Sequence, residues 1–185
     1  FFAPEYRPFF GDDVRLGLLG QQLPDGVLLL NDFTLRTRAV DLRGQGRLSA
    51  EGWPQDFALV GQIAEPNGGA VTLPVAGNPM SVQSVDLDVQ FNAGRDEGWT
   101  GAFEIKGFDR LGIMIDRIAL NGSGTITQGN GCAYGRVTAE AQYFASGIAM
   151  ADVAMAQMIG PTVAGDIDVV TVEGEGTRLE RLTLA

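Results

Sequence analysis

The chain carries the same glycine-spaced pattern twice. Residues 42–49 read LRGQGRLS and residues 120–127 read LNGSGTIT, so both copies follow L-x-G-x-G-x-[LI]-[ST]. The apolar residues that precede each copy also correspond, Leu35 with Ile113 and Val40 with Ile118. Two matching stretches of this length indicate a repeated structural unit. The unit that fits alternating apolar and polar residues is a β-strand.

The leucines and glycines of each copy are predicted to share one face of a sheet, because neighbouring side chains of a strand point to opposite faces. Glycine on an apolar face permits close approach or strong curvature of the sheet, and the missing side chains would also leave room for a bound molecule. A nucleotide-binding turn is disfavoured, since each copy continues as a strand and lacks the third glycine. The glycines predicted to shape this face are Gly44, Gly46, Gly122 and Gly124.

Alternation of this kind extends along most of the chain. A slip of one residue in its phase predicts a bulge or turn near Ala39–Val40, and the same slip recurs at Asp116–Arg117. Gly174 and Gly176 form a degenerate third copy of the glycine pair. With turns rich in Gly, Asn and Pro between them, the strands predict a series of antiparallel hairpins. They are expected at residues 14–18, 33–50, 55–64, 70–76, 85–91, 102–105, 111–127, 133–143, 163–172 and 179–184.

One segment departs from the period of two. Residues 148–159 are rich in Ala and Met, which favour helix, and place Met155, Met158 and Ile159 on one side at helical spacing. Gly160–Pro161 then supplies a stop signal. We expect one short helix at about 148–159 that packs over an open end or edge of the sheet. The alternative is a soft apolar surface for lipid or a partner, since Met adapts to irregular shapes.

Composition narrows the classes of partner. The chain has 13 Lys and Arg against 23 Asp and Glu, a formal net charge of -10, and no basic cluster. Nucleic acid and electrostatic docking to an anionic membrane are therefore disfavoured, since both require concentrated positive charge. No apolar run approaches the ~20 residues of a membrane-spanning helix, and the single cysteine, Cys132, excludes an internal disulfide.

The two ends of the sequence predict a fragment of a longer polypeptide. The chain has no initiator Met or signal-like start, and it stops within the alternating run at Leu182–Ala185. Residues 1–185 are expected to form a single β-groove domain, with a less regular lead-in over residues 1–23.

Few residues suit catalysis or metal binding. The chain has no histidine and only one lysine, Lys106, which is predicted to be a surface residue. The acidic groups at Asp12–Asp13, Asp96–Glu97 and Asp166–Asp168 lack the spacing of a calcium loop and are predicted to be solvated. No G-x-S-x-G sequence is present. We expect no enzyme activity, no cofactor and no metal site.

The order of elements resembles a known family. Alternating strands with G-x-G pairs are followed by YGRVTAEA at residues 134–141, by Gly147 leading into an Ala-rich helix that ends QMIG at 157–160, and by further strands. From about Val27 onward, this succession resembles the C-terminal region of the TamB family. TamB proteins are inner-membrane subunits of the translocation and assembly module, within the AsmA-like, repeating β-groove group.

The resemblance implies an all-β fold in which a long, strongly curved antiparallel sheet forms an open apolar groove, the β-taco. It implies a periplasmic segment of an inner-membrane-anchored protein in a Gram-negative bacterium. Such a conduit would carry phospholipid toward the outer membrane, support assembly of outer-membrane proteins and autotransporters with the outer-membrane partner TamA, or do both.

The residues themselves fit this interpretation. An apolar trough can shield acyl chains from water at about 25 cal/mol per Å², and exposed strand edges could pair with unfolded outer-membrane protein strands. The competing interpretation is a closed β-sandwich or barrel that serves as a structural or protein-binding module. Trp53 and Trp99 lie beside turns and are predicted to cap the ends of the apolar face. The predicted groove lining is Leu35, Leu42, Leu48, Phe57, Leu59, Leu73, Leu87, Phe91, Phe103, Ile105, Ile113, Leu120, Ile126 and Val137.

Overall fold

The structure is a computed structural model that describes residues 7–74, 79–94, 97–129 and 133–185. Some sequence predictions fall outside these residues. They are the start at Phe1, the end of the strand predicted at 70–76 and the turn after it (residues 75–78), the acidic loop at Arg95–Asp96, and the turn and cysteine at residues 130–132.

The described residues form one antiparallel sheet and two short helices. Along the chain the elements are α1 (Arg7–Phe10), β1 (Arg15–Gln22), β2 (Leu28–Arg36), β3 (Val40–Leu48), β4 (Pro54–Ala64), β5 (Val71–Thr72), β6 (Ser81–Val82), β7 (Ser84–Asn92), β8 (Gly98–Arg110), β9 (Ile113–Gln128), β10 (Tyr134–Met150), α2 (Val153–Ile159), β11 (Thr162–Val172) and β12 (Gly176–Leu182). The strands lie side by side in the order β1-β2-β3-β4-β7-β8-β9-β10-β11-β12. The short β5-β6 hairpin leaves this path and joins it where β6 pairs with β8.

The sheet is open and does not close into a barrel. Among the residues that the structure describes, its path ends at β1 and β12, which pair only with β2 and β11 respectively. The chain exposes 11492 Å², whereas a compact globular protein of its mass, 19.6 kDa, would expose about 8600 Å². Register shifts between neighbouring strands, as at Leu19/Gly20 and Asp168/Val169, add twist and curvature. The prediction of an open curved sheet is confirmed, and the closed sandwich or barrel is wrong.

The predicted phase slips have two different structural origins. Near Ala39–Val40 the slip is the turn that joins β2 to β3. Near Asp116 the strand β9 continues, but the neighbouring strands place Gly107 and Gly147 beside it with φ of +60° and +68°. Only glycine adopts these values easily, so β8 and β10 change phase together with β9.

Gly174 and Gly176 do not form a third copy of the strand pattern. They lie at the turn between β11 and β12, with φ of +76° and +88°. Their spacing matches the repeat, but the left-handed backbone that they supply is a requirement of the turn.

The predicted helix is α2, and it begins at Val153 because residues 148–150 still belong to β10. The Asp152 carboxylate caps it, accepting hydrogen bonds from the backbone N–H groups of Ala154 (2.9 Å) and Met155 (3.0 Å). The prediction that this helix packs over the sheet is wrong. None of its residues is buried, and Met158 is 76% exposed, because the helix spans the gap between the ends of β10 and β11.

Candidate functional site

Cross-strand register aligns apolar residues into rows that cross the whole sheet. In an antiparallel pair, residues directly opposite each other lie on the same face. One row is made of Leu35, Leu42, Gly61, Leu87, Phe103, Leu120, Tyr143 and Gly165, each paired with the next. A parallel row is made of Phe33, Gly44, Leu59, Val89, Gly101, Gly122, Ala141, Ile167 and Leu182. We call the face that carries these rows the apolar face.

Most of the predicted lining residues meet on this apolar face, and two do not. Leu73 follows the short strand β5, donates its backbone N–H to the Met80 carbonyl at 2.9 Å, and lies off the main sheet path. Ile113 lies at the β8-β9 turn, outside the middle rows, where it is 38% exposed. The sequence pattern reported the period correctly but could not show that the chain leaves the sheet after Pro66 and returns at β7.

The middle of the apolar face is uncovered. Leu42, Leu59, Leu87, Phe103 and Leu120 are all half-buried, although all the strands of the described residues belong to one sheet and no second sheet overlies them. Their partial burial comes from crowding with neighbours in the same rows. The apolar face is therefore a broad surface rather than a filled core.

One end of the apolar face is closed by a cap. Phe9 of α1, Ala39, Val71 of β5 and Val82 of β6 form a buried cluster with Val40 and Val85 of the main sheet. Val82 is fully buried. Leu42, Ile63, Leu73, Ile105 and Phe108 pack against this cluster from the sides. The cap was not predicted, because two-residue strands carry no detectable alternation.

Polar contacts fix the cap on the sheet. The backbone N–H of Gln83 donates to the Lys106 carbonyl at 2.8 Å, and the Arg38 guanidinium pairs with the Glu65 carboxylate at 2.8 Å. The backbone N–H of Arg38 donates to the Phe10 carbonyl at 3.1 Å. These contacts tie α1 and the β5-β6 segment to the strand ends.

The repeated glycines allow neighbouring strands to approach closely, and they leave no vacant space. A Cβ on Gly44 would lie 2.5 Å from the Ala58 carbonyl oxygen and 3.2 Å from Leu59 Cδ1. A Cβ on Gly122 would lie 3.0 Å from Ala141 Cβ. The prediction that these glycines make room for a guest is wrong, since adjacent strands already fill the space. Their effect on the shape of the face comes through this close contact.

Two aromatic side chains bridge over glycines of the next strand. The Trp99 indole N–H of β8 passes Gly124 of β9 and donates to the Thr138 carbonyl of β10 at 2.9 Å. The Tyr143 hydroxyl of β10 passes Gly165 of β11 and donates to the Thr183 carbonyl at 2.7 Å. Each ring covers the bare backbone of a glycine and satisfies its own polar atom. Their signal in the sequence was an aromatic residue opposite a glycine, visible only once the register is known.

Three further aromatic side chains, Trp53, Phe57 and Phe91, lie near the ends of the strands. Trp53 is buried beside the β3-β4 turn, where its backbone N–H donates to the Ser49 hydroxyl at 3.2 Å. Phe57 and Phe91 stack with their ring centroids 5.5 Å apart. These rings pack within the fold, so they do not form an exposed platform for a flat ligand.

The opposite face is polar and carries ion pairs. Glu104 accepts from Arg117 at 2.9 Å and lies 3.2 Å from the Lys106 ammonium. The hydrogen bond from Arg117, with a further one from Lys106, lowers the pKa of the Glu104 carboxyl. Asp168 pairs with Arg181 at 2.7 Å. Lys106 lies on the surface as predicted, with its side chain 50% exposed, whereas the Asp168 side chain is only 23% exposed. Exposed ion pairs contribute little to stability.

A hollow of about 680 Å³ is lined by residues from both faces of the sheet. It arises where the small side chains of Ala58, Thr100 and Ser123 lie in one row with the longer Gln90 and Glu140. Among the described residues, no group of His, Cys, Asp and Glu is arranged to hold a metal ion. The hollow is wide open, and its lining mixes polar side chains with the aromatic residues Phe57, Phe91 and Trp99.

Within the part of the chain that the structure describes, no helix is long and apolar enough to cross a membrane. No protein-family model, curated protein or solved structure matches the chain. The open sheet with one apolar face thus has to be interpreted from its own geometry.

Proposed function

We propose that the apolar face binds the acyl chains of phospholipid and shields them from water. The observation that carries this proposal is the set of unbroken apolar rows on an uncovered face, with charged residues on the opposite face. A monomeric soluble domain rarely leaves a large contiguous apolar surface exposed without a binding role.

The chemistry of the face suits a mobile, weakly specific guest. Each acyl CH₂ removed from water contributes about 0.8 kcal/mol, so a chain lying along a row gains binding energy from many equivalent contacts. The rows crossing β4 to β9 carry no charged side chain at the paired positions. A lipid can therefore change position along the rows without breaking any particular polar contact.

The cap gives this proposed surface a direction. Because the buried cluster around Val82 closes one end of the strands, the lipid would lie along the middle rows, with access from the uncapped side. The headgroup would remain in water, since the apolar face offers it no charged partner.

The resemblance to the TamB family extends this proposal to a cellular setting. In that setting the chain is a periplasmic segment of an inner-membrane-anchored conduit, phospholipid is the cargo, and TamA is the partner at the outer membrane. Assembly of outer-membrane proteins and autotransporters is a second candidate, and the sheet edge at β1, which pairs with β2 alone among the described residues, favours it.

A matched pair of substitutions tests the proposal. Leu120 is half-buried on the apolar face, and its chain neighbour Asn121 is exposed on the polar face. We expect Leu120→Glu to reduce phospholipid bound to the purified chain about tenfold, because a carboxylate in contact with an acyl chain must be desolvated. Asn121→Glu should leave it unchanged. Bound lipid is measured by extraction and mass spectrometry, with circular dichroism confirming that both variants keep the sheet.

Two outcomes would contradict the proposal. Equal lipid content in the two variants would mean that lipid does not use the apolar face. If the unmodified chain takes up no phospholipid from vesicles, the apolar face does not bind the proposed lipid.

A further inference from the structure

The two edges of the sheet differ sharply in their protection. β12 carries Arg178, Glu180 and Arg181, with Arg178 and Glu180 paired at 2.7 Å. β1 carries a single charged residue, Arg15 at its start, which pairs with Asp13, and none from Leu16 to Gln22. Proteins commonly guard edge strands with charge, because an unguarded edge is a template for another strand. By this criterion β12 is guarded along its length, whereas β1 is guarded only at Arg15.

The β1 edge is also physically accessible. Every β1 residue except Gly17 is exposed, and in the described part of the chain β1 pairs with β2 alone. Its outer side therefore presents backbone N–H and C=O groups without a strand partner. The register shift at Leu19/Gly20 limits the regular stretch to residues 15–19, which is enough for a short ladder.

The side chains of this stretch determine what an added strand must look like. Leu16 and Leu18 lie opposite Leu35 and Phe33 and continue the rows of the apolar face. A strand beside β1 would bury its own apolar residues against these leucines at alternate positions, with polar residues on the other face. The matching ligand is an extended segment in which apolar and uncharged polar residues alternate.

We infer that the β1 edge, and not the β12 edge, accepts an extended amphipathic strand of another polypeptide, antiparallel to β1. A second copy of this chain is a poorer occupant, because each copy carries a net charge of -10 and the copies repel each other. The inference concerns the edge, so it stands or falls separately from lipid binding.

The test uses a fluorescently labelled nine-residue peptide in which Val alternates with Thr, and a control peptide of the same composition with its valines grouped together. The variants are Leu18→Lys and Leu179→Lys. Both leucines are on edge strands and similarly exposed, 59% and 54%. Fluorescence anisotropy should show that the alternating peptide binds, that Leu18→Lys weakens binding at least about tenfold by guarding the edge, and that Leu179→Lys changes it less than about twofold.

Several results would overturn the inference. They are equal loss in both variants, equal binding of the grouped peptide, or slow hydrogen exchange of all β1 amides before peptide is added. Self-association of the unmodified chain that Leu18→Lys abolishes would assign the edge to a second copy instead. Phospholipid bound to the unmodified chain is measured in the same samples, so a failure of lipid binding is seen separately from a failure of peptide binding.

Discussion

Replacing Val82 with aspartate should lower the free energy of unfolding by about 3–5 kcal/mol, because it places an unpaired carboxylate in an apolar cluster. Val82 is fully buried between the cap and the sheet. The cluster around it consists of valine, alanine and phenylalanine, which offer the carboxylate no hydrogen bond. Chemical denaturation followed by circular dichroism measures the loss.

The same substitution at Val60 is the matched control. Val60 is 47% exposed and lies between Arg43 and Asp88 on neighbouring strands. A carboxylate there has water, one favourable charge and one unfavourable charge around it, so the change should stay within about 0.5–1 kcal/mol. If Val82→Asp costs no more than Val60→Asp, the cap does not pack on the sheet as described.

The second large effect is expected at Gly124. Any side chain there overlaps the Thr138 carbonyl and would come within 2.8 Å of Trp99 Nε1. Since the obstacle is backbone, it cannot move aside cheaply, and Gly124→Ala should destabilise the sheet by about 1–3 kcal/mol. The substitution should also displace the Trp99 indole from the Thr138 carbonyl and shift its fluorescence.

Gly69→Ala provides the comparison for Gly124→Ala. Its added Cβ would meet only Glu65 Cγ, at 3.6 Å, and its φ is not in the left-handed region. The stability of the Gly69→Ala variant should rise slightly or stay the same, since alanine lowers the conformational entropy of the unfolded chain. A Gly124→Ala variant as stable as Gly69→Ala would mean that the glycine repeat is unrelated to close strand approach.

The alternation of apolar and polar residues along each strand made the sheet predictable from the sequence. Strands such as β4 and β11 lie within a residue of their expected ranges, because alternation directly reflects a half-buried strand. The shared face of residues such as Leu42, Leu87 and Leu120 followed from the same signal.

Alternation along a strand shows which residues share a face, but it does not show whether another part of the chain covers that face. The sequence placed Met155 and Met158 on one side of α2, but nothing in their spacing shows whether a neighbour covers them. In the structure both are exposed. The glycines raise the same problem, because the sequence assigns Gly44 to a face while only the register reveals that Ala58 and Leu59 fill its space.

The cap could not be predicted from the sequence because its contacts join residues that are far apart along the chain. Its buried contacts join α1, β5 and β6 to Val40 and Val85, which are distant along the chain. Two-residue strands contribute too few positions for a periodic signal. A contact of this type depends on how the connecting segment folds back over the sheet, and no local pattern reports that.

The most direct test of lipid binding compares photo-crosslinking from two adjacent positions of β7. Leu87 lies on the apolar face between Gly61 and Phe103, whereas Asp88 is exposed on the polar face. With a photoreactive amino acid at each position in turn and phospholipid vesicles present, phospholipid should be captured from position 87 and not from position 88. Equal capture from both positions, or capture from neither, would contradict the account.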